Sequence, residues 1–144
     1  MAELLLIARL AGRRIAFPAA MVEAVVELEG ITPAPCAAPH VAGLAALRSR
    51  VLTVIDGLAA LGLEGKGEVE ARDAIVIPCD GHTYALIVEE VEDVIEADAP
   101  ATKLSAPVGA GWARVATGTV EVGSELFLLV DPHALIAGPA ANAA

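Results

Sequence analysis

At 144 residues the chain is long enough for one domain, or for two very small ones sharing a core. A formal net charge of −10 argues against nucleic acid, whose binding rests on neutralising phosphates with cations. No run approaches the roughly 18 apolar residues of a membrane helix, and Glu3 stands where a signal peptide wants positive charge, so a cytoplasmic chain with no direct membrane insertion is expected.

Leu4 to Leu10 is apolar and strand-length, Ala11-Gly12-Arg13 makes a tight turn, and Arg14 to Phe17 returns, so the chain opens with a β-hairpin. Pro18 stops that strand, Ala19 to Val22 supplies one helical turn, and Glu23 to Leu28 is a third strand. Three prolines between Ile31 and Pro39 dictate a loop. Two apolar segments then flank Arg48-Ser49-Arg50, and the second, Val51 to Ile55, reads as a strand buried on both faces. Asp56 is placed to cap a short helix over Gly57 to Leu61, closed by Gly62, and the glycine-rich, charged stretch from Glu64 to Arg72 is a linker.

The second half repeats the first. Tyr84 to Glu96 lies over Ile15 to Glu27 without a gap, and Leu126 to Ile136 lies over Val51 to Leu61. Asp131 followed by Pro132 is a strong helix start, because proline suits the first helical position. Two copies of such a unit suggest an all-β fold with short helical turns, two five-stranded barrels packed on a shared core. The expected boundaries put the first barrel's strands largely in 14–65 and the second's in 73–130, within one domain over 1–144 and with the terminal segments packing across.

The run Pro39-His-Val41-Ala-Gly43-Leu-Ala-Ala-Leu47-Arg48-Ser-Arg-Val51 to Asp56 resembles the signature of the CheW family of chemotaxis coupling proteins. The opening hairpin, the Val91-Glu-Asp-Val94 segment and the closing Leu-Leu-Val-Asp fall in that family's order, so the resemblance covers residues from about 4 to 137. It implies a pair of SH3-like barrels, no catalytic site and no cofactor. It also implies two partners, the cytoplasmic tip of a chemoreceptor and the regulatory domain of a CheA-type histidine kinase, met in receptor arrays at the membrane. Carried over by position, the binding residues are Val22, Gly43, Arg48 and Val94, with Arg50 and Trp112 as further candidates. Pseudo-symmetry is expected to bring Val22 and Val94 to matching lips of one cleft. Ser49 replaces the family's usual glycine, which costs on the order of 1 kcal/mol if the turn keeps a positive φ.

The sequence also offers residues for other chemistries. Cys36, His40, Cys79 and His82 make a possible zinc or small-ligand set, but their spacing matches no finger signature. Asp56 and Asp131 suggest a carboxylate dyad, yet each precedes a helical turn that it is placed to cap. Trp112, in a glycine-rich stretch read as loop, either plugs the end of the second barrel or presents a partner anchor.

Overall fold

The computed structural model describes residues 3–28, 30–33, 38–47, 49–62, 72–97, 102–103 and 109–138. In chain order the elements are β1 (Glu3–Leu10), β2 (Arg13–Pro18), a 3-10 turn (Ala19–Met21), β3 (Ala24–Leu28), β4 (Val41–Leu47), β5 (Arg50–Asp56) and α1 (Gly57–Ala60). They continue with β6 (Arg72–Cys79), β7 (His82–Ile87), β8 (Glu90–Ala97), α2 (Ala110–Val115), β9 (Ala116–Val122), β10 (Glu125–Val130) and α3 (Pro132–Ala137). Most of the expected 64–72 linker and loop residues 34–37 lie outside the described residues.

The strands form two five-stranded sheets, ordered β8-β1-β2-β10-β9 and β3-β6-β7-β5-β4. Each sheet therefore takes its hairpin from one half of the sequence and its other three strands from the other half. This differs from the expected division at 14–65 and 73–130: β1 and β2 lie with β8 to β10, while β6 and β7 lie with β3 to β5. The register of the repeat survives the exchange. Parallel pairing sets Val54 opposite Ala85 in one sheet and Leu129 opposite Ala16 in the other, the same pair of aligned positions with the halves traded.

Both hairpins turn on a two-residue left-handed loop, Ala11-Gly12 (φ 55 and 75°) and Asp80-Gly81 (φ 51 and 82°). Two positive φ angles in succession match the twist of the flanking strands. Each sheet is then bent round on itself. The chain after β3 pairs with β4 through reciprocal Thr32 and Leu44 backbone bonds of 2.8 Å. The chain after β8 does the same through Thr102 and Thr119, at 2.7 and 2.8 Å. Closure satisfies edge groups that would otherwise invite another strand.

Alternation along the strands sorts the core into three parts. Leu5, Ile7, Ala16 and Phe127 fill the barrel of the β8-β1-β2-β10-β9 sheet, hereafter the first barrel. Leu52, Val54, Val76 and Ala85 fill the second. The opposite faces of the same strands supply a layer between them, with Leu6, Ile15 and Phe17 from one sheet and Ile55, Ile75 and Leu86 from the other. Strands apolar on both faces are thus explained: one face looks into its own barrel and one at the neighbour. Fully burying each such side chain contributes roughly 1.5–3 kcal/mol, and neither barrel could retain the middle layer alone.

The three helices cover one side of that layer. Asp56 caps α1 by accepting from the Leu58 and Ala59 amides, and Asp131 caps α3 by accepting from the His133 amide. Arg114 on α2 donates to the carbonyls of Ala134 on α3 and Ala60 on α1, tying the three together. Burial lowers its pKa from the usual arginine value. A Cβ at Gly111 would lie 2.1 Å from the Leu61 carbonyl oxygen, so only glycine lets α2 sit this close to the end of α1.

Candidate docking site

The site sits on the second barrel, where the β4–β5 hairpin tip approaches the start of β3. Glu23, Ala24, Val26, Leu47, Ser49 and Arg50 line a cleft of about 370 Å³. The aliphatic side chains supply its apolar wall, and Glu23 and Arg50 form an ion pair at its rim, both substantially exposed. A shallower depression of about 670 Å³ runs alongside, past Ile31, Leu44, Ala46 and Val51. Leu44 is 41% and Val51 67% exposed, so the hairpin presents aliphatic surface to solvent. Such patches beside charged rims suit protein partners better than small polar ligands.

The residues expected to bind are not gathered in one place. Arg48 lies outside the described residues, between Leu47 and Ser49 of the cleft wall. The turn backbone at Ser49 depends on Arg48, so the expected cost of the lost glycine is outside them too. Arg50 is at the rim. Val22 is half-buried against the middle layer, next to Glu23. Gly43 is buried: a Cβ there would lie 2.2 Å from the Thr32 carbonyl oxygen, so this position serves barrel closure.

Val94 lies on the other sheet, on β8 opposite Leu6, and is 51% exposed. The expected symmetry of Val22 with Val94 needs correction. The repeat register aligns Val22 with Val91 and Val25 with Val94. The structure agrees, since Val25 opposite Ile75 and Val94 opposite Leu6 occupy matching edge-strand positions. Val22 and Val91 both pack against the middle layer.

Trp112 also differs from expectation. It lies on α2, not in a loop, and is buried in the layer shared by both sheets, with the Arg13 guanidinium carbon 5.3 Å from its ring centroid. Its place is in the layer between the sheets, which differs from the expected plug at the end of one barrel. The residues that sequence reasoning passed over are Glu23, Ala24, Val26 and Leu47. Glu23 and Arg50 carried a readable signal, because their repeat counterparts Glu92 and Glu125 are both acidic.

The alternative ligand set gains no support. The buried His40 ring has its Nε2 2.8 Å from the Ile136 carbonyl oxygen and packs beneath Gly138. His82 is exposed at the start of β7, and Cys36 lies outside the described residues. Cys79 is a free thiol whose pKa is raised by burial first and by the neighbouring Asp80 second. Among the described residues no cluster of three or more potential metal ligands occurs.

Comparison with known proteins is decisive at the level of family. The model of the CheW-like domain matches residues 4–140. The chain belongs to the CheW-like domain family. No curated protein matches it at a significant level. Its fold is similar to that of the scaffolding protein TtCheW from Thermoanaerobacter tengcongensis, with a TM-score of 0.77, 22% identity, and coverage of 90% of this chain and 89% of that one. Both aspartates of the candidate dyad instead cap helices. No helix among the described residues is long and apolar enough to cross a membrane.

Proposed function

We propose that this CheW-like domain couples the cytoplasmic tip of a chemoreceptor to the regulatory domain of a CheA-type histidine kinase, in the cytoplasm at membrane receptor arrays. The observation that carries this reading is the apolar-walled, charge-rimmed cleft at the β4–β5 tip, beside the segment of Arg48. It lies on one barrel, whereas the resemblance implies receptor contact in the groove between barrels and kinase contact at barrel ends. A receptor tip is helical, and an amphipathic helix docks its apolar stripe into an apolar groove with polar contacts at the edge. Val26 and Leu47 offer the apolar wall, while Arg48 is proposed as the planar donor to a partner carboxylate or carbonyl. Val94, exposed on the far sheet, is proposed as part of a separate contact.

The test is co-sedimentation with receptor-containing membranes and kinase. Arg48→Asp is expected to abolish it while leaving the circular dichroism spectrum and melting temperature unchanged. Wild-type-like co-sedimentation by that variant would remove Arg48 from the site, and failure of the wild-type chain to co-sediment would refute the coupling role.

A further inference from the structure

We infer that Glu23 is a gate on Arg50: the ion pair is closed in the free protein and opens when a carboxylate of the docking partner takes Glu23's place. This rests on the docking reading above and adds to it the chemistry of the occupant, a carboxylate carried next to an aliphatic side chain.

The internal repeat provides a control within the same molecule. Glu23 and Arg50 at the second barrel align with Glu92 and Glu125 at the first, and Thr83 aligns with Arg14. At the first barrel Arg14 bonds Glu92 at 2.9 Å and also Glu125. Its guanidinium carbon lies 5.1 Å from the Phe127 ring centroid. That cation is held by two carboxylates and a ring face, so displacing one carboxylate leaves it still paired with the other.

The second barrel lacks the central arginine. Thr83 takes its place, and the cation has moved outward to Arg50, which among the described residues bonds one carboxylate only. A guanidinium has five N–H donors, so most of Arg50's capacity is unused. Its side chain is 45% exposed beside the wall of Ala24, Val26 and Leu47. The chain's net charge of −10 repels free anions, so an anionic group reaches Arg50 best when it brings apolar surface that fits the cleft as well.

Exchange is energetically feasible because an exposed ion pair holds its members weakly. The incoming carboxylate replaces Glu23 like for like, and apolar contact then shields the new pair from water. Glu23 thus screens Arg50 from stray anions and yields only to a ligand that fills the cleft as well.

The experiment is a titration of the intact chain with a soluble chemoreceptor-tip fragment, at low salt and at high salt. Glu23→Gln is expected to bind about 1.5- to 5-fold more tightly, the range set by loss of one exposed pair. Arg50→Gln is expected to bind more weakly. In the Arg50→Gln background, Glu23→Gln should change nothing, because the gate then has nothing to hold. Weaker or unchanged binding by Glu23→Gln alone would overturn the gate, as would equal tightening with Arg50 absent. If Arg48→Asp abolishes binding while both rim variants match wild type, the gate fails and the docking reading stands. If the wild-type chain does not bind the fragment, both fail.

Discussion

Gly43, carried over by resemblance as a binding position, also has a structural task. Its φ of 152° and the Thr32 carbonyl beside it leave no room for a methyl group. Gly43→Ala is therefore expected to lower stability by about 2 kcal/mol or more, since overpacking displaces the strand pairing that closes the barrel. A denaturant titration would show it as a lower midpoint with an unchanged slope. Cys79 supports a second prediction at this scale. Burial and Asp80 both raise its thiol pKa, so less thiolate is present at pH 8 than for an unhindered cysteine. In a Cys36→Ser background, labelling by a thiol reagent at pH 8 should be slower than for a model peptide and should accelerate as pH rises towards 10. A rate equal to the peptide's would show that the surroundings do not restrain it. Neither property is legible in the sequence, because Gly43 and Cys79 owe them to Thr32 and to packing that only the fold supplies.

Elements were far more legible than their partners. Strand-length apolar runs, the Gly12 turn and the two aspartate caps follow from local chemistry, and the structure has strands and helices at those places. What failed locally was α2: glycines at 109 and 111 read as loop, yet Gly109 stands at the N-cap and Gly111 is the contact point with Leu61. Tertiary packing overrode propensity there. The caps carry a stability prediction of their own. Asp56→Ala and Asp131→Ala should each cost about 1 kcal/mol, with Asp→Asn costing less because asparagine also caps well. The measurement is chemical unfolding of the four single variants, and equal losses for alanine and asparagine would count against capping.

At the scale of the whole molecule, the repeat announced two similar units but concealed the exchange of hairpins between them. Alignment of the halves fixes which residues are equivalent; it is indifferent to whether β7 pairs with β5 or with β10, since both arrangements keep the same register. The docking cleft was concealed for a related reason: Glu23 and Arg50 meet only once β3 and the β4–β5 tip close the second barrel. The exchange has a thermodynamic consequence. Each barrel needs strands from both halves, and more than half of the buried core among the described residues lies between the sheets, so neither unit keeps its apolar contacts when the other opens. Unfolding should therefore be a single cooperative transition, unlike that of two domains joined by a linker. Trp112, the chain's one tryptophan, sits in the middle layer and reports that layer by fluorescence, while far-ultraviolet circular dichroism reports the strands of both barrels. The two probes should give superimposable denaturant curves with a common midpoint. Tryptophan exposure well before loss of strand signal would mean that the barrels separate and survive alone, and the shared layer would then be a contact surface instead of a common core.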